Sequence, residues 1–265
     1  MSDFEISLSS YRGTDRDVVI PAEAGIEVIG AGAFAGKMNL RSVVIPHGVR
    51  VIGPEAFRDC ANLTSITIPD TVAEIGRAAF KGCWHLKSVS LPAGLTKLEP
   101  ETFRRCMDLT EIELPEGLEE IGSQCFKHCK RLASLNIPAS VTEIGSEAFA
   151  HCAKLTQANF AEGLEEMGDA AFEGCKALGE ISLPESLGWL GRRAFKDCAD
   201  LHAARIVGPI ESLEEEAFSG CSALSELNLP ESLLLVERAA FANCPLIGES
   251  ALPASVATLH PHAFA

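Results

Sequence analysis

The chain is short of the side chains that usually anchor a binding site or drive a reaction. It has one Tyr and two Trp in 265 residues, so the aromatic anchors that dominate binding hot spots are scarce. It is also short of positive charge: 22 Lys and Arg stand against 37 Asp and Glu, a net charge of −15. That excludes a generic nucleic-acid binder, which needs a basic face to neutralise phosphates, and it disfavours an anionic membrane surface. No apolar run approaches the ~20 residues that cross a bilayer, so no membrane insertion is expected. The opening Met1-Ser2-Asp3-Phe4-Glu5 lacks the basic and apolar regions of a secretory leader. The expectation is therefore a cytoplasmic protein, or a cell-surface or secreted one if the chain is a piece of something longer. Glycine recurs singly, which excludes a phosphate-cradling loop. No activated nucleophile held by a base stands out, and no carboxylate pair is isolated from the rest. No catalytic residue and no cofactor are expected.

Phenylalanine and cysteine are abundant and ordered. Eleven Phe residues fall 23 positions apart, from Phe34 to Phe264, and nine Cys follow three residues behind, from Cys60 to Cys244. A fixed period of 20–30 residues specifies a solenoid whose coils contact only their neighbours. The nine Cys occupy one place per coil and face the same way. They are read as reduced, buried thiols acting as small hydrophobes, since parallel Cβ vectors suit a disulfide's right-angled torsion poorly. Cys125 is the odd tenth.

The coil from Leu63 to Leu86 serves as a template. Ile66 and Ile68 alternate with Ser65 and Thr67, the period-2 mark of a half-buried strand, and Pro69 ends it. Val72 and Ile75 point inward from a second extended stretch. Gly76 reads as a turn with positive φ, and residues 77–82 as one turn of helix or 3₁₀-helix carrying Ala79 and Phe80 into the core. With 10–11 coils at ~4.8 Å each, the rod should be ~50 Å long. The Leu-x-x-Ile-x-Ile-Pro, Val-x-x-Ile-Gly and Ala-Phe-x-x-Cys elements of this coil resemble the BspA-like, Treponema-type leucine-rich repeats over about residues 18–264. The resemblance implies an α/β leucine-rich-repeat solenoid of short parallel β-strands and single-turn helices, in a family of mostly bacterial cell-surface or secreted binding proteins.

The repeat has edges and breaks. Residues 1–20 are read as an N-terminal cap half-turn and 21–265 as one continuous solenoid. Phe160-Ala161 replaces the Ile-Pro pair, and Val207-Gly208-Pro209 moves a proline by two places. Glu99, Glu214 and Glu237 replace the turn glycine, where a positive φ would be strained.

Candidate binding residues lie on the outward positions of the principal strands: Glu111, Glu113, Asn136, Asn159, Ser182 and Arg205. Small polar side chains on a flat sheet suit close approach of a partner, and equally suit a solvated face. Trp189, Leu234 and Leu235 fall at outward positions of the second stretch. They read either as a contact patch or as groups folded under a distortion near Pro209. Glu116, Glu119, Glu120, Glu162, Glu165 and Glu166 crowd the stretch after the strand, while Arg104, Arg105, Lys127, Lys130, Arg131, Lys154 and Lys176 crowd the expected helical edge. Such runs are solvated faces, or they steer a partner. His128 and His151 stack beside Cys129 and Cys152, but thiols facing in and imidazoles facing out cannot converge on a metal. The resulting expectation is a noncatalytic protein-interaction module with an unknown protein partner and weak self-association. The alternative is a structural or adhesive segment of a cell-surface protein that binds host matrix or glycan.

Overall fold

A computed structural model describes residues 6–265; the first five residues of the expected cap lie outside them. Among the described residues every strand pairing is parallel, and partners stand 23 residues apart except at the N-terminal edge, where Ser7 pairs with Val28 and Asp17 with Ser42. Alternation of one inward and one outward residue builds the principal strands. Ser42–Val44 pairs with Asp17–Val19 on one side and Ser65–Thr67 on the other. Further along, Ser134–Ile137, Gln157–Phe160, Glu180–Leu183, Ala203–Ile206 and Glu226–Asn228 form a five-stranded sheet. Residues 88–90 and 111–113 form no strand; we find no local sequence reason for the gap. After the corner, two-residue strands such as Val51–Ile52 and Glu143–Ile144 make a second set of parallel ladders.

The core is a stack of identical rungs. The Phe rings from Phe34 to Phe241 are fully buried and pile at centroid separations of 4.9–5.8 Å, nearly parallel. Tyr11 lies one period before Phe34 and stacks on it at 4.9 Å, so the column starts one rung earlier than the phenylalanines alone indicate. At Phe160, which stands where other coils have Ile or Leu, the ring packs edge-on against Phe172 at 5.6 Å. All ten Cys are buried free thiols. Nine of them do more than fill space: each donates to the main-chain carbonyl of the Phe in the preceding coil, as Cys152 Sγ does to Phe126 O at 3.3 Å.

The third side of each coil is neither the single-turn helix nor the 3₁₀-helix expected for residues 77–82. Among the described residues, helical order is confined to two short 3₁₀ segments, Ala22–Ala24 and Glu249–Ala251. Instead the amides alternate in direction. Ala56, Arg58 and Cys60 donate to carbonyls three residues back, while Glu55, Phe57 and Asp59 donate to Arg77, Ala79 and Lys81 of the next coil. A helix would keep every amide within its own coil. Half of them cross over here, so linked turns form a third inter-coil ladder.

This geometry also corrects the reading of glycine. Gly76 has no positive φ. A Cβ there would lie 2.6 Å from the Pro54 nitrogen, so glycine is needed for close approach of adjacent backbones. The positive φ falls at two other places in each coil, one before and one after the Phe. The first runs from Gly32 through Glu55 and Ala78 to Ala239, the second from Gly36 through Asp59 to Asn243. Most of these are not glycine. Glu99, Glu214 and Glu237 are not among them, so the strain expected there is absent.

Candidate functional site

Four strands of the five-stranded principal sheet, Gln157–Phe160, Glu180–Leu183, Ala203–Ile206 and Glu226–Asn228, form the floor of an open groove of about 880 Å³. Strand alternation turns Gln157, Asn159, Glu180, Ser182 and Arg205 outward, while Ala158, Ile181 and Ala204 anchor the strands from beneath. The pairing register sets Asn136 beside Asn159 and Ser182 beside Arg205. Asn159 Nδ2 donates to Asn136 Oδ1 at 2.7 Å, and Gln157 Nε2 donates to Asn159 Oδ1 at 3.1 Å. Amides thus link the first strand of the groove to Asn136 of the preceding coil, which lies just outside the lining. Arg205 forms no ion pair among the described residues, although Glu180 and Glu226 also line the groove. Its guanidinium offers five donors in a planar fork.

The sequence-derived candidates do not form one cluster. Asn136, Asn159, Ser182 and Arg205 share the principal sheet. Glu111 and Glu113 lie in the segment without strand pairing and do not line the groove. Trp189, Leu234 and Leu235 are on the second side of the coil, beyond the corner. Trp189 is 45% exposed and Leu234 is 47% exposed, whereas Leu235 is half-buried. The second ladder is interrupted between Trp189–Leu190 and Ser212–Leu213. There Gly208 comes so close to the preceding coil that a Cβ would overlap the Leu187 and Pro184 carbonyls.

The ionisable groups with displaced pKa values are structural. Burial disfavours charge on Glu101, but hydrogen bonds from Lys81, Arg77 and Arg104 outweigh it and pull the carboxyl down to about 2. His128 and His151 stack at 4.8 Å. Burial holds His128 down to about 4, helped by His151, Lys127, Arg105 and Lys130. Burial pushes the Cys60 and Cys244 thiols up to about 11, the reverse of what a nucleophile needs.

A family profile described as the BspA type leucine rich repeat region, in six copies, matches residues 27–156 and 142–265. The chain belongs to the BspA-type leucine-rich-repeat family. Among solved structures, a leucine-rich repeat protein from Bacteroides ovatus ATCC 8483 aligns with TM-score 0.62 and 27% identity, covering 92% of this chain and 82% of that one. A leucine rich cell surface protein from Faecalibacterium prausnitzii A2-165 aligns with TM-score 0.57 and 24% identity over 98% of this chain and 91% of that one. The pneumococcal vaccine antigen PcpA aligns at 0.51 and 20%, over 94% and 75%. No curated protein matches the chain.

As a BspA-type solenoid, the protein presents three hydrogen-bonded sides, and the principal-strand side carries this groove with Arg205 at its floor. Sequence reasoning missed the amide links from Asn136 to Gln157. Their signal was present, in that Asn136 and Asn159 stand one period apart. It also missed that Glu101, Glu147 and Glu216 interleave with the basic turn edge. Glu216 Oε2 accepts from Lys196 at 2.6 Å and from Arg193 at 2.8 Å, and Glu147 pairs with Lys127. Among the described residues no helix is long and apolar enough to cross a membrane.

Proposed function

We propose that the chain is a noncatalytic protein-binding module whose contact surface is the groove over strands 157–160, 180–183, 203–206 and 226–228. The observation that carries this reading is the unpaired Arg205 guanidinium on a floor of small polar side chains, held rigid by in-register parallel strands. A backbone or a carboxylate of a partner can reach that floor without meeting a bulky side chain, and Arg205 takes the carboxylate in a two-pronged contact. Asn159, Ser182 and Asn228 supply hydrogen bonds on either side, so specificity comes from polar placement more than from aromatic anchors. The second reading, a structural or adhesive element, is favoured by exposed Trp189 and Leu234 on the other side of the coil.

Affinity capture with four proteins separates the two: wild type, Arg205→Glu, Ser182→Trp and Trp189→Ala. A stoichiometric partner held by wild type and Trp189→Ala, and lost with the two groove variants, supports the groove. A partner lost only with Trp189→Ala replaces it by the second reading.

A further inference from the structure

The coils spanning residues 105–176 carry opposite charge on two different sides, and several of those charges form no ion pair among the described residues. On the second-strand side, Glu120, Glu143 and Glu166 stand directly beside one another in adjacent parallel strands. Side-by-side strands place them ~4.8 Å apart, with exposed Glu119 and Glu165 next to them. Like charges so placed repel. Lys97 relieves only the end of the row, reaching Glu120 at 3.0 Å; Glu143 and Glu166 form no ion pair among the described residues.

On the edge between the turns and the principal strands, Lys130, Arg131, Lys154 and Lys176 are all exposed. Arg131 and Lys154 are one period apart, and Lys130 and Lys176 are two. Only Arg131 has a partner, Asp108 at 3.6 Å. Among the described residues, the three lysines form no ion pair. The nearby amides of Ala133 and Thr156 are tied to the preceding coils at 3.2 and 2.9 Å, so this edge has the same fixed pitch as the acidic row.

We infer that these two sides dock on each other between copies of this chain, the acidic row of one solenoid lying along the basic edge of the next. Both rows repeat at the coil spacing, so two solenoids laid side by side bring carboxylates and ammonium groups into register over several coils at once. A foreign polyanion or polycation would satisfy one row and leave the other repelling itself, whereas a second copy satisfies both. The contact joins two different patches, so it propagates laterally unless a rotation closes it. The net charge of −15 opposes the approach at long range, so the association is weak. It should be seen at about 0.1 M salt, where the Debye length of ~10 Å screens distant charges more than touching ones.

Sedimentation velocity over a range of protein concentrations tests this with two charge-reversed proteins. One is Lys130→Glu/Lys154→Glu/Lys176→Glu, and the other is Glu143→Lys/Glu165→Lys/Glu166→Lys. All six positions are exposed, and thermal melts followed by circular dichroism check that both variants fold. Wild type should sediment faster as concentration rises and lose this at about 1 M salt. Each variant alone should stay monomeric, and an equimolar mixture of the two should associate again. Wild type that is monomeric throughout overturns the proposal. So does a variant that associates alone, or a mixture that behaves as the sum of its parts. Polyglutamate or polylysine that binds wild type while wild type stays monomeric assigns the rows to a foreign partner instead.

Discussion

The Cys83 thiol donates to the carbonyl of Phe57 at 3.2 Å, and the same carbonyl accepts the amide of Cys60 at 3.2 Å. The carbonyl beside each ring from Phe34 to Phe218 is thus satisfied twice, once within its own coil and once by the next. A thiolate cannot donate, and burial already pushes these groups above their ordinary value near 9, to about 11 at Cys60 and Cys244 and about 12 at Cys175. A pKa raised in the folded state gives stability that is complete below the unfolded value and lost as pH climbs through the folded one. Denaturant melts should be flat to about pH 8.5 and fall between about 9 and 11. A Cys60→Ser/Cys244→Ser variant should show a shallower fall, since a hydroxyl donates at every pH in that window. Ellman's reagent at pH 8 should find almost no reactive thiol in native protein and all ten after unfolding.

Phe149 lies between Phe126 at 5.2 Å and Phe172 at 5.0 Å and is fully buried. Its replacement by Ala removes a ring from the middle of a column whose neighbours are fixed by hydrogen bonds on three sides, so the cavity cannot collapse. The expected loss is about 3–5 kcal/mol. Phe264 touches a ring on one side only, Phe241 at 5.4 Å, and is half-buried. Phe264→Ala should cost less than half as much. Equal losses from the two in urea melts would contradict a cooperative column.

What the sequence made legible follows from what repeats. A 23-residue period in Phe and Cys is a direct statement of stacking, so the coil, the inward Ile and Leu columns and the reduced thiols could be read without coordinates. Tyr11 escaped because it occupies the Phe place with another residue type. The third side escaped because Ala-Phe-x-x-Cys has the spacing of a helix, and only the destination of each amide distinguishes a helix from linked turns. A repeated glycine shows that a side chain is excluded, but not whether φ or a neighbouring backbone excludes it. The principal-strand face could be placed by register alone, so Asn136, Asn159, Ser182 and Arg205 fell on one sheet. Glu111 and Glu113 were placed by the same register, yet pairing lapses over those two coils and the groove lies elsewhere. Trp189 and Leu234 are exposed while Leu235 is partly covered, a difference that period and register do not encode, since Trp189 and Leu235 share one register.

The two reasons for glycine predict different costs. Gly36 has φ of 69° and nothing within 4 Å of a built Cβ, so Gly36→Ala isolates the left-handed penalty, about 1–2 kcal/mol. At Gly145 a Cβ would lie 2.6 Å from the Ser123 nitrogen, a backbone atom that cannot swing aside. Gly145→Ala must push two coils apart and should cost clearly more than Gly36→Ala. Ala170 carries φ of 56°, so Ala170→Gly should be neutral or stabilising by up to about 1 kcal/mol, the relief of left-handed strain exceeding the entropy lost by glycine. Thermal melts that rank Gly36→Ala as the most damaging of the three would reverse this assignment.

Glu101 accepts from Arg77 Nη2 at 2.6 Å, Lys81 Nζ at 2.6 Å and Arg104 Nη1 at 2.8 Å, with its own side chain 10% exposed. Burial works against its charge and the three cations overcome it, leaving the carboxyl at about 2 against 4.5 unfolded. A depressed pKa gives stability present above the unfolded value and lost as pH falls through the folded one. Acid should therefore weaken the fold between about pH 4.5 and 2, by at most about 3 kcal/mol from this group, because Arg77 is 67% exposed and partly screened. Glu101→Gln keeps the shape but leaves three cations facing one another, and it should destabilise the protein at pH 7 while flattening the acid limb of the melt profile. A Glu101→Gln protein as stable as wild type at pH 7, with the same slope between pH 4.5 and 2, would show that the cluster is solvated and contributes nothing to the coil it bridges.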